Sequence, residues 1–253
     1  MNKGWSPLES DLIPYAAGFP PGGRWLVLAP HPDDETFGVG ATLALAAGRG
    51  VDVRVAVVTD GGAQGDPAER EREARDAATA LGVGEPEFWR FPDRSLHPGD
   101  PSLRVRLREA MARCRPDGVF VTSPVELHPD HRALAIAVQR EIRAAMLPGR
   151  RRHVPSFVAA FEVGTALRPN LLVAADEGWE RKRRAIACYA GQIAVLPYDQ
   201  IMEALATYRT LTLSGVRKAE GLHVEAARRL ARISSRAWAA SMGVPPEVAV
   251  GRR

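Results

Sequence analysis

Short apolar runs, separated by stretches of helical length and pattern, constrain this chain more than any other feature. Trp25 to Ala29 is a continuous apolar run, as a strand buried on both faces requires. Val53 to Thr59, Glu87 to Arg90, Gly118 to Thr122, Ser156 to Glu162 and Leu171 to Ala174 read as further strands. Helical patterns lie between them. The first spans Gly38 to Ala47 and is closed by Gly48 and Gly50. The second, Pro67 to Leu81, has its proline near the start and Gly82 at the stop. Leu103 to Cys114 and Arg132 to Met146 follow. The C-terminal part reads as mainly helical, at Gly178 to Ala190, Tyr198 to Tyr208 and Val224 to Met242.

Strands that alternate with crossover helices predict an α/β protein with a mostly parallel sheet covered on both sides, a single-domain, Rossmann-like three-layer fold. A chain of 253 residues can bury one substantial core. The domain is expected over residues 25–243, between a leader at 1–24 and a tail at 244–253. Pro14 to Gly23 and the residues after Gly243 should be loosely tied down. Ligands of such sheets bind at the carboxyl ends of the strands, near a topological switch point. Residues capable of chemistry should therefore fall just after strands.

They do. Directly after the first strand comes Pro30-His31-Pro32-Asp33-Asp34-Glu35. After the fourth, past a short loop, comes His128-Pro129-Asp130-His131, opening a helix. Three of the six histidines lie in these two His-Pro-Asp tetrads. Each tetrad concentrates groups that are costly to bury unpaired, and a nitrogen/oxygen metal site at the carboxyl ends of the strands explains both. The prolines stiffen loops that must hold ligands in place. His31 and Asp34 can converge across one tight turn, and His128 and His131 have the same spacing. Hydrolytic zinc takes three such ligands and keeps a position for water. No cysteine competes, so zinc comes first, with iron(II) or another divalent ion compatible with the same donors.

Bulk properties narrow the field further. Apolar residues make up 45% and charged residues 25%, and the net charge is +4. The run Arg181-Lys182-Arg183-Arg184 reads as a solvated helix face. Aromatics are 6% of the chain and form no stacking platform, so no nucleic-acid partner is expected. Cys114 and Cys188 lack metal-binding spacing. Residues 1–21 hold no signal-peptide run, and no stretch reaches the roughly 18 apolar residues of a membrane span, which makes the cytoplasm the default compartment. A nucleotide-binding relative without hydrolytic activity would want Gly-x-Gly-x-x-Gly where His31 to Glu35 stand. His97, His153 and His223 lack acidic companions at ligand spacing and read as surface or packing groups. The sequence leaves a homo-oligomer open.

Ala29 to Glu35, followed by Gly38 and Gly40, together with His128 to His131, resembles the two signature motifs of the LmbE-like (PIG-L) family of zinc-dependent N-acetylglucosaminyl deacetylases. Thr59 to Ala63, Arg70 and Glu73 ahead of Leu81-Gly82-Val83, Pro92-Asp93 and Cys188-Tyr189 extend the likeness, which runs from about Trp25 to Glu220. The resemblance implies an LmbE-like deacetylase domain over 25–243 that removes an acetyl group from an amino-sugar through metal-activated water. It implies zinc on His31, Asp34 and His131. Asp33 would be the general base, His128 the cation or acid facing the tetrahedral intermediate, and Asp130 the group that orients His128. Arg70 and Asp93 would contact the substrate. Glu35 is expected to be structural, capping a helix or orienting a ligand. Gln64-Gly65, Ala190-Gly191 and Glu126-Leu127 depart from the family pattern. The same motifs would serve an amidase acting on another N-acyl group, such as a thiol conjugate or an antibiotic precursor. They describe the reacting carbonyl and not the rest of the molecule.

Overall fold

The computed structural model describes residues 16–149 and 152–243. The expected tail and the first fifteen residues of the leader lie outside them. Eight strands form one sheet: β1 (Ala16–Ala17), β2 (Arg24–Ala29), β3 (Asp52–Thr59), β4 (Glu87–Phe91), β5 (Gly118–Thr122), β6 (Phe157–Phe161), β7 (Leu171–Ala174) and β8 (Ala219–Ala226). Their order is β1-β7-β8-β6-β5-β2-β3-β4. All pairings are parallel except those of β8, which runs against both β6 and β7. The chain leaves β2 toward β3 and β4 on one side and returns to β5 and β6 on the other. The gap between the ends of β2 and β5 is therefore the switch point of a doubly wound sheet.

Alternate residues of the central strands feed two separate cores. Leu26 and Leu28 pack with α3 (Pro101–Cys114), α4 (Pro129–Ala145) and the buried Trp238. Trp25, Val27 and Ala29 pack with α1 (Asp34–Gly48), α2 (Pro67–Leu81) and α5 (Asp176–Ala187). Both faces are thus covered, as the apolar β2 run requires, and the expected three-layer α/β fold is what forms. Helix α2 matches its signals residue for residue. Asp66 accepts the Ala68 amide, Pro67 takes the first turn, and Gly82 closes it at φ 79°, its amide on the Ala78 carbonyl.

The differences are local and have visible causes. Helix α1 starts at Asp34, not Gly38, and breaks at Val39 (φ −134°, ψ 15°), so the expected helix is its second half. That half is capped from outside: Glu220 on β8 accepts the amides of Ala41 and Thr42 and the Thr42 hydroxyl. A side chain at Gly38 would collide with the Phe161 ring, and one at Gly178 with the Ala41 carbonyl, so glycine lets α1 lie against β6 and α5. Lys182 is a correction to the solvated basic run. It is buried, with its ammonium on Glu220 (2.7 Å) and on the Phe37 carbonyl (2.6 Å).

The expected helix from Val224 to Met242 is also corrected. Its start belongs to β8, and the helical residues split into α8 (Ala227–Leu230) and α9 (Ser235–Ser241). A short helix not expected from sequence, α6 (Ala190–Val195), precedes α7 (Tyr198–Tyr208), which has its expected bounds. In the segment expected to be loose, Ala16 and Ala17 pair with Leu171 and Leu172 at the sheet edge. No described helix is long and apolar enough to cross a membrane.

Candidate metal centre and catalytic cleft

Both tetrads emerge at the switch point. After β2 the chain turns through His31 and Pro32 into Asp33, the residue ahead of α1, which sits at φ 147° and ψ −28°. Such a conformation in a residue with a β-carbon is strained and persists only when its surroundings hold it. Here the holder is Arg70. Its Nη2 donates to the Pro32 carbonyl (2.6 Å) and to Asp33 Oδ2 (2.9 Å), from a side chain that is itself buried. After β5 the chain loops to His128, which caps α4: its Nδ1 accepts the Asp130 amide, and Pro129 fills the first turn. One turn on, His131 is buried, and its carbonyl accepts from Thr122.

The turn and the helix start bring three donor atoms together. His31 Nδ1, Asp34 Oδ2 and His131 Nε2 lie 3.2 Å from one another on every side of a triangle. Ligands about 2.0–2.1 Å from a tetrahedral ion stand roughly 3.3–3.4 Å apart, so this triangle is the size of one ligand face. The two imidazole nitrogens stand at hydrogen-bonding distance, and an ion seated between them would engage both together with the Asp34 oxygen. The donor set is the nitrogen/oxygen kind that suits zinc and its neighbours. His31, His128 and His131 also bring ring nitrogens within 4.8 Å of one another, as His31, Asp93 and Asp130 do with their nitrogen and carboxylate oxygens. The cluster fits a metal ion.

Around the triangle, carboxylates hold the far nitrogens of the two rings. His31 Nε2 lies 3.1 Å from Asp93 Oδ1 and 3.4 Å from Asp130 Oδ2, and His131 Nδ1 lies 3.6 Å from Glu126 Oε2. Such partners fix tautomer and ring orientation in metal sites. Burial opposes charge on His31, but Asp130, Asp34 and Asp93 outweigh it and push its pKa up to about 12. At His131 burial again opposes, and Asp34 and Glu126 prevail, raising it to about 9. Asp34 is driven well below the usual carboxylate range: burial opposes, and His131 and His31 overcome it. This is a pocket built for positive charge.

Asp33 differs. Burial and the charge of Asp34 push its carboxyl up to about 6, while Arg70 and His31 pull it back. A carboxylate poised near neutrality at the edge of a cleft suits proton transfer. Glu35 lies beneath, accepting from Thr36 and from the Tyr189 hydroxyl, and burial with the charges of Asp33 and Asp34 raises it to about 7. The structure thus ties the Cys188-Tyr189 signature to Glu35 and supports a structural role there.

The geometry differs from three of the expected roles. Asp130 accepts the Arg94 and Leu96 amides and faces His31, where the sequence reading has it orient His128. His128 is half-buried, and burial with the nearby His31 and His131 lowers its pKa although Asp130 raises it. With Nδ1 accepting, a neutral His128 carries its proton on Nε2. Arg70 and Asp93 line the cleft, but their charged groups are turned to Asp33 and His31. Glu126 went unassigned from sequence. Its place shortly before the second tetrad, in a loop leaving a strand, was the available signal. It also accepts the amides of Val163, Gly164 and Thr165, tying the loop after β6 to the site. His223 and His153 are packing groups, on the Arg168 and Pro116 carbonyls.

These residues open onto a cavity of about 500 Å³. The sequence model of the family described as "PIG-L: GlcNAc-PI de-N-acetylase" matches residues 26–142, a span that holds both tetrads. Residues 26–142 thus match a PIG-L (LmbE-like) family domain. Among curated relatives, it is 27% identical to a probable N-acetyl-alpha-D-glucosaminyl L-malate deacetylase 2 of Bacillus cereus, over 69% of this chain and 86% of that one. It is 28% identical to the diacetylchitobiose deacetylase of Thermococcus kodakarensis, over 78% and 81%. Among solved structures, the N,N'-diacetylchitobiose deacetylase of Pyrococcus horikoshii superimposes with a TM-score of 0.73 at 24% identity, over 81% of this chain and 85% of that one, which shows a shared fold. The matched region places both tetrads at one switch point.

Proposed function

We propose that this PIG-L protein is a zinc-dependent N-deacetylase that hydrolyses the acetamido group of an N-acetylglucosamine-type sugar. The observation that carries the reading is the 3.2 Å triangle of His31, Asp34 and His131 with Asp33 beside it. The named activities of the two curated relatives support the substrate class. His31, Asp34 and His131 would hold the zinc, whose chemistry when bound is to acidify a water and polarise a carbonyl.

The chain's own groups do the rest. Asp33, held by Arg70, accepts the proton of the attacking water. Water adds at the amide carbon, the carbon–nitrogen bond breaks, and acetate and the free amine leave. His128 Nε2–H donates to the oxygen that gains negative charge, a role in which a single donor is worth about 2.7–4 kcal/mol in other enzymes. The departing nitrogen takes its proton from Asp33 or His128. Asp93, Asp130 and Glu126 hold the rings of His31 and His131 in place, and Arg70 holds Asp33, with its Nη1 4.0 Å from Glu73.

A panel of N-acetylated amino-sugars and unrelated N-acyl amides, assayed for released amine with zinc-loaded protein, tests the reading. Turnover of N-acetylglucosaminides is expected. Turnover confined to non-sugar amides would replace the sugar with another N-acyl substrate, and none at all would defeat the hydrolase reading.

A further inference from the structure

The cavity at the metal triangle has two kinds of lining. Its polar lining includes Asp33, Arg70 of α2, Arg94 and His128 at the start of α4. Its apolar lining is Leu127, Val163, Leu196, Ile201 and Met202, with the Tyr198 ring. Leu127 is 74% exposed, Leu196 48% and Ile201 42%. Large apolar groups left uncovered in one patch mark a ligand groove or an interface.

This wall is anchored. On α7, Met202 and Ala206 are buried, and the Tyr198 ring stacks on Phe37 at 4.8 Å and 15°. Lys218 ties the outer side of the helix through Glu203 and Thr207, and Gln192 of α6 donates to the Gln64 carbonyl across the cavity mouth. Ile201 and Leu196 are therefore presented to the cavity by a fixed element, as in preformed small-molecule sites. A hexosamine ring edged by hydroxyls has little to gain from such a surface. We propose that the substrate carries an apolar aglycone, alkyl or aryl, seated on Leu127, Leu196 and Ile201 while the acetamido group faces the metal triangle. The proposal rests on the deacetylase reading and names the part of the substrate that the catalytic motifs leave open. Continuity decides the occupant, because the apolar wall and the reacting groups line one cavity.

The test compares methyl and hexyl N-acetylglucosaminides, both anomers, by amine release from zinc-loaded protein. Binding of the same compounds to zinc-loaded Asp33→Asn is measured by calorimetry. Each methylene taken from water contributes up to about fourfold in affinity, so a partly seated hexyl group predicts a roughly 10- to 50-fold gain, carried in KM. Binding should show a negative heat-capacity change. Leu196→Asn and Ile201→Asn should each shrink the hexyl-to-methyl ratio severalfold with metal content unchanged. Equal turnover of both glycosides overturns the apolar seat and leaves the deacetylase reading standing. Tighter hexyl binding without any turnover supports the seat and defeats that reading. Equal binding of the two overturns the seat whatever the turnover. A dimer lost in Leu196→Asn, with an unchanged hexyl-to-methyl ratio, assigns the wall to a second copy of the chain and also overturns it.

Discussion

The parallel half of the sheet and its antiparallel extension serve the site in different ways. At the ends of β2 and β5, short loops place His31, Asp34 and His131 directly, and nearby carboxylates orient them. Among the described residues, no group on the β8 side pairs with the metal triangle. Glu220 and Lys182, both buried, instead join the two halves of α1 from opposite ends of its break, while α7 closes the cavity with apolar residues. One region carries the candidate site, and the other braces α1, whose first turn carries Asp34. The comparison teaches that a loop gripped by Arg70 is also tied, through α1, to an ion pair contributed from β8 and α5.

The largest effect should separate the two regions cleanly. Asp33→Asn keeps the shape of the side chain and removes the base, so turnover should fall about 10²–10⁴-fold with metal content unchanged. Near-normal rates in the metal-loaded variant would hand the proton to another group. Lys182→Met attacks the other region. It strands the Glu220 charge in the core, and breaking a buried pair from one side costs about 3–5 kcal/mol. Denaturant unfolding should show that loss, and Glu220→Gln in the same chain should recover part of it. A loss below about 1 kcal/mol, the level of an exposed pair, would mean that α1 needs no brace.

Two smaller effects sharpen the parallel side. Glu126→Gln should weaken metal binding about 10- to 100-fold, as loss of a ligand's carboxylate partner does elsewhere. Competition with a chelator reads this, and unchanged affinity would reduce Glu126 to a loop tie. Arg70→Gln removes the cation that pulls the Asp33 pKa down from where burial and Asp34 push it. The base must be ionised to work, so the acid limb of the pH–kcat/KM profile should move to higher pH. An unmoved limb would separate Arg70 from the base.

Much of the parallel half was legible in the sequence. The bounds of α2 and β5 follow from capping residues and apolar runs, and both tetrads stand where strands end. On the antiparallel side β7 and α7 were legible too, but β8 was not. Strand β8 carries Glu220, His223 and Glu225 among its buried residues, and a polar, Ala-rich segment next to helical sequence reads as helix. Glu220 and His223 are satisfied by Lys182 and by Arg168 and Ser241, partners distant in sequence, while Glu225 pairs with Arg229 four residues on. The early start of α1 was hidden for a similar reason. It depends on Asp33 holding an unfavourable backbone conformation, gripped by an arginine 37 residues away. In the same way Asp130 faces His31, far earlier in the chain, and not its neighbour His128.

The metal triangle is tested most directly by elemental analysis of zinc-reconstituted wild type, His131→Ala and His128→Ala proteins. Wild type and His128→Ala should each retain about one zinc per chain, and His131→Ala should lose it, because only His131 completes the triangle with His31 and Asp34. Less than about 0.1 metal per wild-type chain, or zinc kept by His131→Ala and lost by His128→Ala, would contradict the assignment.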